Sequence, residues 1–119
     1  RKRSDIRHSH PELIRALVSM SHDLSYVYGD DLVKIILYGS YARGEQSGES
    51  DVDIALIIKH ADSEKMHAAM TDIVVDYELE QGITFSVISV EYDHYLTWKK
   101  TLPFYKNLDK EGIILWKAA

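Results

Sequence analysis

Two short apolar runs, separated by a small polar loop, constrain this chain more than any other feature. The first, Val33-Lys34-Ile35-Ile36-Leu37-Tyr38, is rich in β-branched residues and stops abruptly at Gly39. The second, Asp51 to Ile58, follows the stretch Ser40-Tyr41-Ala42-Arg43-Gly44-Glu45-Gln46-Ser47-Gly48-Glu49-Ser50 and carries acids at its start. Runs of this length and composition read as buried strands. Alternation along the second puts Asp51, Asp53 and Ala55 on one face and Val52, Ile54 and Leu56 on the other. The polar loop between the runs reads as a turn of helix followed by irregular chain.

Helical patterns flank the two runs. From Pro11 to Tyr28, apolar residues at Leu13, Ile14, Leu17, Val18, Leu24 and Tyr28 have the spacing of a buried stripe. Ser9 or His10 could cap that helix, Pro11 suits its first turn, and Gly29 suits the residue after its end. A second helix is expected from Ser63 to Glu80, with Met66, Ala69, Met70, Ile73, Val74 and Tyr77 inward and Gly82 after it. Ile83 to Val90 reads as a third strand. Glu91 to Lys100 and Pro103 to Lys110 read as short helices, and Ile113-Ile114-Leu115-Trp116 as a last strand. This order predicts an α/β (α+β) fold, with helices packed on a mixed sheet.

The 119 residues suggest one domain, 1–119, with 1–9 as a flexible tail. The chain has no cysteine, which excludes disulfides, cysteine-based zinc sites and a thiol nucleophile, and fits a cytoplasmic setting. Apolar stretches such as Ile54–Ile58 are too short to cross a bilayer. No apolar segment of signal-peptide type follows Arg1-Lys2-Arg3. With a net charge of −5 and one basic cluster (Arg1, Lys2, Arg3, Arg7), tight binding to duplex nucleic acid is not expected. A single nucleotide is different, because a metal can supply positive charge locally.

The spacing of the two runs carries the chemistry. A strand ends in Gly39-Ser40, ten residues intervene, and Asp51-Val52-Asp53 opens the next strand. Gly39 has no side chain, so a phosphate can approach the backbone there. Ser40 offers a hydroxyl and begins a helical turn with free N–H groups. Asp51 and Asp53 point to the same side and form a hard oxygen site suited to Mg²⁺, which takes one or two carboxylates plus waters and phosphates. A phosphate cradle beside a divalent-metal site matches phosphoryl or nucleotidyl transfer. Arg43 serves either a phosphate contact or an ion pair with Glu45 or Glu49. Ser50 reads as a structural residue of the loop.

The stretch Leu37-Tyr38-Gly39-Ser40-Tyr41-Ala42-Arg43-Gly44, continued by Ser50-Asp51-Val52-Asp53-Ile54-Ala55-Leu56, resembles the signature of the minimal nucleotidyltransferases. These belong to the DNA polymerase beta-like superfamily and include the antitoxin partners of HEPN-domain toxins. The resemblance implies that Gly39 and Ser40 contact the phosphates of ATP or another nucleoside triphosphate, and that Asp51 and Asp53 hold Mg²⁺. It also implies a concrete reaction, because some members transfer AMP from ATP to a tyrosine of a HEPN partner. Whether the chain is a homo-oligomer is left open.

The pattern breaks at one point. Active members place a third acid on a neighbouring strand, whereas Ile83-Thr84-Phe85-Ser86-Val87-Ile88-Ser89-Val90 has none. Ser86 is the expected equivalent, and Glu80 or Glu91 could approach from outside the usual position. The alternative to a working transferase is therefore a weak or inactive antitoxin-type module that pairs with a HEPN-type protein. The histidines (His8, His10, His22, His60, His67, His94) show no close metal-ligand spacing. Tyr26, Tyr28, Tyr77, Tyr92, Tyr95 and Tyr105 read as packing residues, Tyr41 lies inside the motif loop, and Trp98 to Tyr105 is expected to dock on the domain's own core.

Overall fold

The structure, a computed structural model, describes residues 6–119, with the backbone alone at positions 7 and 8. Its elements in chain order are α1 (Ile6–Ser9), α2 (Pro11–Tyr28), a 3₁₀ turn (Gly29–Asp31), β1 (Leu32–Tyr38), α3 (Gly39–Arg43) and β2 (Val52–Ile58). After these come α4 (Glu64–Gln81), β3 (Phe85–Glu91), α5 (Tyr92–Trp98), α6 (Pro103–Glu111) and β4 (Ile113–Lys117). The four strands form one sheet in the order β3-β2-β1-β4. β2 and β3 run parallel, joined through α4, and the other two pairings are antiparallel. The fold is the expected α/β (α+β) arrangement on a mixed sheet.

β1 and β2 are the two central strands, which explains their near-continuous apolar character. A strand covered on both faces cannot alternate with polar residues. On one face α2 and α4 close over Ile35, Leu37, Val52, Ile54 and Leu56. On the other, Tyr95 of α5 with Tyr105 and Leu108 of α6 packs on Ile36, Ala55 and Ile57. Asp53 shares this second face, so α6 arrives on the side of the sheet that carries the acid.

Several local signals act as expected. Pro11 starts α2, and Gly29 ends it with a φ of +56°. Ser63 caps α4 by accepting a hydrogen bond from the Met66 N–H. His10 holds the position before α2 without a side-chain cap, and its ring meets Tyr41 edge to face.

Other placements differ from expectation. Val18 is exposed, because Leu13, Leu17, Met20 and Leu24 already fill the inner face of α2. Tyr26 is exposed beside His22, whereas Tyr28, Tyr95 and Tyr105 are buried. Within the stretch expected as a tail, Ile6–Ser9 form a helical turn, and Ile6 is buried where its side chain joins the core with α2. The rest of that tail, residues 1–5 with the basic triplet, lies outside the described residues. No helix among the described residues is long and apolar enough to cross a membrane.

Candidate functional site

The antiparallel register of β1 and β2 sets Tyr38 opposite Asp53. The chain turns at Gly39, with a φ of +76°, into the left-handed region that disfavours any side chain. A Cβ built on Gly39 would overlap Asp53 Oδ2. Glycine is therefore required here for two reasons: the turn itself, and the carboxylate that rests against its Cα. This goes beyond phosphate access, since the space left by the missing side chain is used by Asp53.

Asp51 lies one residue before β2 and is exposed, while Asp53, inside the strand, is half-buried. The Asp53 carboxyl is pushed above its ordinary pKa by burial first and by the charge of Asp51 second, with Arg43 opposing both. Two acids that repel one another at the start of a central strand form a site that a cation stabilises. Their oxygen donors and adjacent positions fit Mg²⁺. Ser40 and Arg43 both lie in α3, which is only 5 residues long.

Arg43 is paired on two sides. Its Nε donates to Glu45 Oε1 at 2.9 Å, and its Nη1 stands 3.6 Å from Glu111 Oε2 at the end of α6. The expected Glu45 pair is present, and Glu111 takes the place considered for Glu49. Ser50 closes the loop by accepting a hydrogen bond from the Ser47 N–H at 2.9 Å. Tyr41 is buried in the core beneath the motif.

On the neighbouring strand Ser86 stands in register with Asp53. The other two acids considered lie elsewhere. Glu91 pairs with Ile58 at the opposite end of the strand, five residues from Ser86, or roughly 16 Å along it. Glu80 lines a polar groove between α2 and α4, with Glu12, Arg15 and Tyr77. Among the described residues no group of three or more His, Cys, Asp or Glu side chains has a metal-binding arrangement. The site presents a pair of acids and a serine.

With this geometry in hand, the relatives can be placed. The family model described as "Polymerase beta, Nucleotidyltransferase" matches residues 25–117. The chain belongs to the polymerase beta nucleotidyltransferase family. It is 44% identical over 66 residues to a candidate protein adenylyltransferase of Methanocaldococcus jannaschii, a match covering 54% of this chain and 45% of the relative. The chain thus spans less than half the length of that protein. A second candidate protein adenylyltransferase of the same organism is 32% identical over 102 residues, covering 86% of this chain and 96% of the relative. A solved chain from the complex of tri-AMPylated Shewanella oneidensis HEPN toxin with MNT antitoxin has a TM-score of 0.53 at 13% identity. That likeness covers 88% of this chain and 73% of the other, and is one of fold.

The Gly39-Ser40 and Asp51-Asp53 pattern lies within the matched residues, and α6 adds residues that the motif does not contain. Tyr38, Phe104, Asn107 and Glu111 surround the same turn as Gly39 and Arg43. Only the spacing of Phe104, Asn107 and Glu111 along one helix face could have signalled this in the sequence, and nothing there pointed the face at the motif.

Proposed function

We propose that this nucleotidyltransferase-family chain transfers a nucleoside monophosphate, AMP from ATP, to a hydroxyl of a protein or small molecule in a Mg²⁺-dependent reaction. The observation that carries this reading is the seating of the Asp53 carboxylate against Gly39, which joins the acid pair to the Gly39-Ser40 turn. The names of the Methanocaldococcus jannaschii relatives support adenylyl as the transferred group. In the reaction the acceptor oxygen bonds to the α-phosphorus, the bond from that phosphorus to the bridging oxygen breaks, and pyrophosphate leaves. The hydroxyl proton passes to water.

Asp51 and Asp53 would hold the metal, which when bound neutralises phosphate charge and stabilises the leaving oxygen. Gly39 and Ser40 would receive the phosphates through backbone N–H and hydroxyl donors. A helix as short as α3 contributes little dipole, so Arg43 is the cation that the motif offers the triphosphate among the described residues. Its guanidinium lies close enough to Asp53 to lower that carboxyl's proton affinity.

Calorimetric titration with ATP, with and without Mg²⁺, tests the reading on wild type and on Asp51→Asn/Asp53→Asn. Mg²⁺-dependent binding that the double variant loses is expected. A folded wild type that binds no nucleotide would remove the basis for transfer.

The serine beside Asp53 favours a second reading, a weak or inactive module that works by pairing with a HEPN-type protein. The fold-level likeness to the toxin–antitoxin complex supports that partner class. On this reading a complex with such a protein forms equally well with the double variant, and pull-down with purified partner measures it. On the enzymatic reading the same variant abolishes label transfer from ATP to the partner.

A further inference from the structure

A cleft of about 190 Å³ opens beside the turn between β1 and α3. Tyr38, Gly39 and Arg43 line it from the motif, and Phe104, Asn107 and Glu111 line it from α6 together with Leu108. The three α6 side chains stand at i, i+3 and i+7, so they form one stripe on the helix. The rings of Tyr38 and Phe104 meet edge to face, with centroids 5.3 Å apart and planes at 89°. A flat ring entering the cleft could stack on one of them and meet the edge of the other. An apolar cavity of about 150 Å³ accepts benzene, so this volume suits one flat ring system.

We propose that this cleft receives the base of the nucleoside triphosphate and selects adenine through Asn107, an inference that rests on the nucleotide reading above. The cleft shares Gly39 and Arg43 with the phosphate site, so one ligand can span both. The Asn107 amide carries an acceptor beside donors. That pattern complements an amino group next to a ring nitrogen, as adenine presents. Guanine presents adjacent acceptors, O6 and N7, which an arginine fork recognises best. Arg43, which the nucleotide reading assigns to the phosphates and which Glu111 holds on its other side, is then not free to make that fork. An acceptor tyrosine with its hydroxyl directed at the α-phosphorus would leave the Asn107 amide without a ring partner, which disfavours it as the occupant.

Calorimetry with Mg²⁺ and ATP, GTP or tripolyphosphate tests this on wild type, Asn107→Leu and Asn107→Asp. ATP is expected to bind at least about tenfold tighter than GTP. Both substitutions should reduce ATP affinity by at least about tenfold and leave tripolyphosphate affinity unchanged. Because Asn107 is exposed, the melting temperature should not move. Phe104→Ala should weaken ATP and GTP together, since base stacking is tolerant of base identity. Equal ATP and GTP affinities in the wild type, or an ATP-to-GTP ratio unaffected by Asn107, would overturn the base pocket while the nucleotide reading stands. Base-blind nucleotide binding with Asn107-dependent binding of N-acetyltyrosine amide would assign the cleft to the acceptor and overturn it equally. Failure of all three triphosphates to bind would overturn both readings.

Discussion

Replacing Gly39 by alanine separates the two reasons for glycine at the β1–α3 turn. The first is backbone conformation: a φ of +76° costs an L-residue about 1–2 kcal/mol. The second is steric, because the new Cβ would overlap Asp53 Oδ2 and the carboxylate must move. Turning a short side chain off its preferred rotamer costs about 0.5–1.5 kcal/mol. Gly82, at the end of α4, isolates the first effect, since its φ is +67° and nothing lies within 4 Å of a built Cβ. Gly82→Ala should therefore cost about 1–2 kcal/mol, and Gly39→Ala about 1.5–3.5 kcal/mol.

Thermal melting checks the stability difference, at about 3–6 °C per kcal/mol for a domain of this size. A double-mutant cycle then tests the cause. In an Asp53→Ala background the overlap with Oδ2 is gone and only the Cβ contact at 3.2 Å stays, so Gly39→Ala should cost about 1 kcal/mol less than in wild type. Calorimetry supplies the functional half: Gly39→Ala should abolish Mg²⁺-dependent ATP binding, and Gly82→Ala should leave it intact. Additivity of Gly39→Ala and Asp53→Ala within about 0.3 kcal/mol would refute the reasoning, because the carboxylate could not then be resting on the turn.

Two further expectations follow from the same geometry. Ser86→Asp places a third carboxylate in register with Asp53, and should tighten the Mg²⁺ dependence of nucleotide binding by about tenfold; an unchanged Mg²⁺ titration would show that position 86 does not serve the metal. At alkaline pH, Tyr28 and Tyr95 weaken the fold. Each is pushed above the ordinary value of 10.0 by burial first and then by a carboxylate partner, Asp62 or Asp109. A group whose folded pKa is raised contributes stability that is complete below the unfolded pKa and lost as pH rises beyond it. Urea midpoints should therefore fall above about pH 10, and more shallowly in Tyr95→Phe; an unaltered slope would discount Tyr95.

The acid pair and the Gly39-Ser40 turn were legible because they are local in sequence and their residue types have few alternative uses in that order. The two central strands were legible for a related reason. Burial on both faces leaves a continuous apolar run, and Val52 and Ile54 through Ile57 are all at 0% exposure. What could not be read was register. Nothing in Leu37-Tyr38-Gly39 says that Tyr38 pairs with Asp53, so the fit of carboxylate to glycine emerged only in three dimensions. The same holds for Glu111, whose contact with Arg43 joins residues far apart in the chain. Val18 misled because the apolar pattern of α2 contains more side chains than its inner face can hold.

The glutamates around Arg43 raise the question of whether this cation is free to serve a nucleotide. The Arg43 and Glu45 side chains are 37% and 59% exposed. An ion pair so open to water contributes only about 0–1 kcal/mol, so exchanging Glu45 for a phosphate oxygen costs little. Glu111, longer at 3.6 Å and less exposed at 27%, comes from α6 and fixes where the guanidinium points. The arrangement thus aims Arg43 without locking it. A triphosphate at the acid pair, on the proposed reading, would bring more negative charge to the guanidinium than one carboxylate does, and at short range the larger charge wins. On that reading Arg43 would pass from Glu45 to the phosphates while Glu111 still holds its other side.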